Sequence, residues 1–131
     1  MRIVLDTNVL LAALGTRGLC EALLAVCLEG HDLVTSDHIL RELSRHLAGK
    51  FRVPRRRVRE IVALLREQAE VVEPARVPSG ACGDPDDLPV LGTAVAGDAD
   101  LLVTGDADLL ALGSHGRIAI VSPRACYDRL A

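Results

Sequence analysis

Arg2-Ile3-Val4-Leu5-Asp6-Thr7-Asn8 runs from strand-forming apolar residues straight into a carboxylate and two small polar side chains. A second apolar run, Val9 to Leu14, begins at once. A strand buried on both faces reads as a continuous apolar run, and open α/β sheets hold their ligands at the C-terminal ends of such strands. Asp6 is therefore expected at the rim of a core, leaving Thr7 or Asn8 to cap a following helix. The plain alternative is that Asp6 only caps or turns the chain. The choice depends on whether other acids arrive at the same edge.

Outward from this stretch, apolar and turn residues alternate in blocks. Val9 to Leu14 predicts a short helix stopping near Gly15 and Gly18. Leu19, Ala22, Leu23, Val26 and Cys27 follow helical spacing up to Gly30. Leu24 and Leu28 widen that helix's apolar surface toward a partner subunit. Asp32 to Thr35 predicts a second strand, and Ser36 or Asp37 caps a helix running to about Gly49. Ile39, Leu40, Leu43 and Leu47 form its apolar arc, with Glu42 at the border and His46 one turn further along the same row. Pro54 opens another helix whose buried side is Val58, Ile61, Val62, Leu65 and Ala69. Residues 71–83, with Pro74, Pro78 and Gly80, predict a short extended piece and a loop.

Asp84-Pro85-Asp86-Asp87-Leu88-Pro89 precedes the apolar run Val90 to Ala96. Both prolines must fall before or within a first helical turn, which puts Asp84, Asp86 and Asp87 at a helix start. Leu101 to Val103 is a buried strand, followed by Thr104-Gly105-Asp106-Ala107-Asp108. Arg117 to Val121 is a final strand, and Pro123 opens a C-terminal helix. The segment GDADLL occurs at Gly97 and again at Gly105. An apolar strand separates the copies, so they do not make a calcium loop.

The 131 residues suit one domain, residues 1–131, with a real core. No apolar run approaches the ~18 residues that span a bilayer, and Asp6 comes too early for a signal-peptide core. A cytoplasmic protein without a membrane partner is the expectation. Cys20, Cys27, Cys82 and Cys126 have no metal-ligand spacing and read as reduced, mostly buried thiols. The net charge of −3 does not announce nucleic-acid binding, and with one Phe, one Tyr and no Trp the chain cannot stack many bases. Any nucleic acid must be held chiefly by its phosphates.

Alternating strands and helices predict an α/β fold, a parallel sheet with helices on both faces. Every strand then ends at one edge. Asp6 ends the first strand, Asp106 follows the 101–103 strand, Glu42 rides the helix after the second, and Asp87 opens the helix before the 101–103 strand. Asp6 and Asp106 meet if their strands are neighbours. Asp87 is expected at the far end of its helix from its strand, reaching the site only by a chain path that folds back over the edge. Clustered carboxylates repel unless a cation neutralises them. Oxygen ligands without His or Cys favour Mg²⁺ or Mn²⁺ over zinc, the donor set of a phosphodiester-cleaving centre.

Leu5-Asp6-Thr7-Asn8-Val9-Leu10, Ser36 with Glu42, Asp84-Pro85-Asp86-Asp87 and Leu102-Val103-Thr104-Gly105-Asp106-x-Asp108-Leu109 together resemble the PIN-domain ribonucleases, most of all the VapC-like toxins of type II toxin–antitoxin pairs. The resemblance spans nearly the whole chain. It implies a three-layer α/β/α sandwich and a metal-dependent endoribonuclease acting on single-stranded or structured RNA. By position, the implied catalytic acids are Asp6, Glu42, Asp87 and Asp106, with Asp6, Asp87 and Asp106 holding Mg²⁺ or Mn²⁺. Thr7, Asn8 and Thr104 are implied polar supports, Asp84 and Asp86 compete with Asp87, and Asp108 assists Asp106. A homodimer and an antitoxin whose C-terminal segment covers the acidic site are implied as well. The rival readings are a non-catalytic RNA- or protein-binding module and an aspartyl-phosphate phosphohydrolase with Asp6 as nucleophile. The second usually wants an Asp two residues on, where this chain has Asn8.

Lys50, Arg52, Arg55, Arg56, Arg57 and Arg59 place six cations within ten residues at a helix start, where they oppose the helix dipole. Arg55, Arg56 and Arg59 are the candidates for RNA phosphate, with an acidic antitoxin segment or plain solvent as the alternatives.

Overall fold

The computed structural model describes all residues, 1–131. A six-stranded sheet carries the chain in the order β3-β2-β1-β4-β6-β5. The strands are β1 (Arg2–Leu5), β2 (Asp32–Ser36), β3 (Glu70–Val72), β4 (Leu101–Val103), β5 (Ser114–His115) and β6 (Ile118–Val121). β1 to β4 and β6 are mutually parallel, and only β5 runs against β6. β1 and β4 are central neighbours, with Leu5 opposite Val103, and their core residues are almost wholly excluded from water. That double-sided burial is what the unbroken apolar runs encode.

Helices α1 (Thr7–Gly15), α2 (Leu19–Gly30), α3 (Asp37–Gly49), α4 (Arg55–Gln68) and α7 (Pro123–Leu130) pack on one another in series. α5 (Leu88–Ala96) lies instead against β1, β2 and β4, entered through a 3₁₀ turn at Pro85–Asp87, and α6 (Ala107–Leu112) packs on β6. This is the expected α/β/α sandwich. No single helix is long and apolar enough to cross a membrane.

Three expectations are corrected. Asp6, not Thr7 or Asn8, caps α1: its Oδ1 accepts the Thr7 N–H at 2.7 Å. The C-terminal part of the sheet is not purely parallel, because Gly113 (φ 69°) and Gly116 (φ 58°) turn the short β5 back along β6. Two-residue strands carry too little periodicity to be read. Asp87 needs no exceptional chain path. A helix that crosses between parallel strands runs antiparallel to them, so its first turn lies at their C-terminal edge. The far end of α5 confirms the direction: Gly97 O accepts from Arg2 Nε at 2.7 Å, beside the start of β1.

The two GDADLL copies lie at opposite edges. Asp100 accepts from Arg2 N at 2.8 Å and Asp98 pairs with Arg117 at 3.0 Å, whereas Asp106 and Asp108 open α6. They share no ligand site.

The loop at 73–84 is tied to α5 by a close backbone approach. Ala75 N donates to Gly92 O at 2.9 Å, and a Cβ on Gly92 would stand 2.3 Å from Ala75 O. Gly92→Ala should therefore cost about 1–3 kcal/mol, as overpacking against backbone does. Urea unfolding should show a lower midpoint at unchanged slope, and an unchanged midpoint would refute the close approach.

Candidate active site

At the C-terminal edge of β1 and β4, Thr104 ties the two strand-end acids together. Its buried hydroxyl donates to Asp6 Oδ2 at 2.8 Å, and its oxygen accepts the Asp106 N–H at 2.9 Å. Asp6 N donates to Val103 O at 2.9 Å, extending the β1–β4 ladder by one residue. Asp6 is only 7% exposed, and both its oxygens are engaged. Burial pushes its carboxyl above the ordinary range, and the charges of Glu42 and Asp106 push it further. The hydrogen bonds from Thr104 and the Thr7 N–H pull the other way. Asp106 caps α6, its Oδ1 accepting from Asp108 N at 2.8 Å and Leu109 N at 3.1 Å.

Glu42 stands on α3 where its helical periodicity puts it, half-buried at the border of the apolar face. Its Oε1 accepts from Thr7 Oγ1 at 3.4 Å and lies 3.1 Å from His38 Nε2, and its Oε2 lies 3.7 Å from Arg45. Thr7 is thus a link between the β1 end and α3.

The tightest group of carboxylates is Asp84, Asp87 and Asp108, whose oxygens lie within 4.8 Å of one another. Asp84 caps the 3₁₀ turn, accepting from Asp86 N at 3.0 Å. Asp87 Oδ2 is buried without a hydrogen-bond partner. Burial, then the charges of Asp106, Asp84, Asp6 and Asp108, push the Asp87 carboxyl up to about 7. A buried carboxylate oxygen lacking any donor and faced by like charges fits a cation. With no His or Cys among its three members, the group suits a hard ion such as Mg²⁺ or Mn²⁺.

Asp6, Glu42, Asp87 and Asp106 are thus brought to one edge, with Thr7 and Thr104 joining them. Of the three competing acids, Asp84 stands beside Asp87, while Asp86 is exposed and lines a cleft against α3. Asp108 stands closer to Asp87 and Asp84 than its expected supporting place beside Asp106 implied. Its neighbour there is Gly83, where a Cβ would be 3.6 Å from Asp108 Oδ1, a contact no linear spacing reveals. Asn8 is exposed and lines a separate hollow of about 340 Å³ with His46, Lys50 and Phe51. Arg55 and Arg59 face a groove between α3 and α4 together with Arg45 and Arg66, while Arg56 and Arg57 are paired with Glu60. Cys27, Cys82 and Cys126 are buried free thiols, Cys27 pushed up to about 12 by burial.

A mostly parallel α/β/α domain with acids gathered at the strand ends is a class of domain whose candidate site sits on one sheet edge. The chain belongs to the PIN-domain family, whose family model matches residues 2–108. No curated protein matches it significantly. Among solved structures, it is similar to VapBC2 from Rickettsia felis bound to a fragment of promoter DNA, with a TM-score of 0.64, 14% identity, and 93% of this chain and 98% of that one covered. It is also similar to FitAB bound to the IR36 DNA fragment, with a TM-score of 0.65, 22% identity, and coverage of 92% and 94%. VapBC-1 from nontypeable Haemophilus influenzae gives 0.62, 19% identity, and coverage of 95% and 99%.

Proposed function

We propose that this chain is a Mg²⁺- or Mn²⁺-dependent endoribonuclease and the toxin of a toxin–antitoxin pair. The observation that carries the reading is the unpartnered, buried Asp87 Oδ2 amid the carboxylates of Asp84, Asp108, Asp6 and Asp106. A bound divalent ion would supply Lewis-acid stabilisation of the phosphodiester and a water of lowered pKa. Asp87, with Asp84 and Asp108, would hold the ion, while Asp6 and Asp106 add the charge that keeps it there. Thr104 and the Thr7 N–H fix the Asp6 carboxylate in one orientation and favour its ionised form against burial. Glu42, outside the tight group and 3.4 Å from Thr7 Oγ1, is the carboxylate that would take a proton.

The likeness to the VapBC and FitAB complexes supports an antitoxin partner; on the proposed reading, the antitoxin's C-terminal segment covers the acidic edge and the toxin is a homodimer. Unpaired buried thiols suit a reducing, cytoplasmic setting. The test is incubation of labelled single-stranded RNA, and of DNA of the same sequence, with the protein in Mg²⁺, Mn²⁺ or EDTA. Internal cleavage of RNA only with metal is expected. Intact RNA in both metals would overturn the reading.

A further inference from the structure

Beside the acidic edge, the first half of α3 and the turn at 85–89 enclose an open cleft of about 510 Å³. His38, Arg41 and Arg45 form one wall, and Pro85, Asp86 and Pro89 the other. Positions 38, 41 and 45 recur at helical spacing, so the three cationic or polar heads stand on one stripe of α3. We propose that this cleft is a nucleotide subsite, in which Arg41 and Arg45 hold a backbone phosphate of the RNA strand adjacent to the one that is cut. The proposal rests on the nuclease reading above and assigns residues that reading does not use.

Several observations carry it. Glu42 lines the cleft and also reaches Thr7 at 3.4 Å, so the cleft opens directly onto the acidic edge. Apart from the rings of Pro85 and Pro89, its lining side chains are polar or charged, which suits a phosphate–sugar backbone. Its volume lies in the range that takes a small ligand, of order 300–1,000 Å³. Arg41 and Arg45 are exposed, and Arg45 is held only by a 3.7 Å contact to Glu42, leaving most donors of both guanidiniums for a phosphate. Asp86 on the opposite wall repels the strand toward α3. Arg45 also lines the α3–α4 groove with Arg55 and Arg59, so the cationic path continues away from the cut.

The test uses the full chain, a labelled single-stranded RNA of mixed sequence, and three variants: Arg41→Gln/Arg45→Gln, Arg41→Lys/Arg45→Lys and Asp86→Asn. RNA binding without metal should weaken with salt, and the Gln pair should make the log–log slope shallower by about 0.7, the value for one lost phosphate on a single strand. The Lys pair should restore the slope, and Asp86→Asn should tighten binding. With metal, KM should rise about tenfold or more in the Gln pair, with kcat changing far less. An unchanged slope and KM in the Gln pair, while wild type still cleaves RNA, would overturn the subsite and spare the nuclease reading. Poly-glutamate displacing RNA as effectively as unlabelled RNA does, in wild type but not in the Gln pair, would make the arginines a protein-docking surface and also overturn it. A wild type that binds RNA with the expected slope yet cleaves nothing would sink the nuclease reading instead.

Discussion

Replacing Asp87 by asparagine should yield a protein that is more stable than wild type without metal and inactive with it. The folded state holds the Asp87 proton up to about pH 7, while an unstructured chain releases it near 3.8. Across that window the folded protein binds more protons than the unfolded one, so metal-free stability falls as pH rises from about 4 to 7. Asp87 is half-buried, so screening trims the effect to about 1–2 kcal/mol. Asp87→Asn removes the charge that causes it. Urea unfolding in EDTA should show wild type losing stability between pH 5 and pH 7.5, chosen to span roughly that window, with the variant nearly flat and more stable at the upper end. Cleavage should fall by ~10²–10³-fold, the scale of losing one preorganised stabilising group at the reacting centre. Parallel pH–stability curves for the two proteins would contradict this account of Asp87.

Mn²⁺ or Mg²⁺ should raise the melting temperature, because an ion bound only by the folded state stabilises it by mass action. At a hundredfold excess over Kd the gain is ~2.7 kcal/mol, or about 10 °C for a chain of this size. Asp87→Asn should abolish most of it, since the ion loses the oxygen that has no other partner. Asp84→Asn should reduce it. Glu42→Gln should reduce it least, because Glu42 stands outside the tight group and is already engaged by Thr7, His38 and Arg45. Calorimetric scans giving one metal-induced shift for wild type and Asp87→Asn would remove Asp87 from the metal site.

The layered fold was legible because β1 and β4 are buried on both faces and write their burial as unbroken apolar runs, while β2 shows only Leu33 and Val34 between polar residues. Asp6, Glu42 and Asp106 were legible for the same reason: a strand end and a helix border are positions that periodicity fixes. Asp87 reaches the edge because α5 runs antiparallel to the strands, a direction that no local pattern around Asp87 encodes. The Thr104 link depends on the β1–β4 register, Leu5 opposite Val103, which no local pattern encodes. The approach of Asp108 to Asp84 and Asp87 depends on the loop ending at Gly83, and loop paths leave no period in a sequence. Among the arginines, the i, i+4 spacing that puts Arg55 and Arg59 on one face also pairs Arg56 with Glu60, so both were open to a reading of helical spacing.

On the proposed function, the acids gathered at the sheet edge cut RNA with the help of a divalent ion. The most direct test of that function is cleavage of one labelled single-stranded RNA by wild type and Asp6→Asn, purified side by side, in Mn²⁺ and in EDTA. Asp6 is the acid that Thr104 and the Thr7 N–H hold in place, and the asparagine keeps its size. Internal cleavage by wild type in Mn²⁺ alone is expected, and none above background by the variant, with both proteins equally folded by circular dichroism. Equal cleavage by the two proteins, or cleavage by wild type that persists in EDTA, would contradict the proposed function.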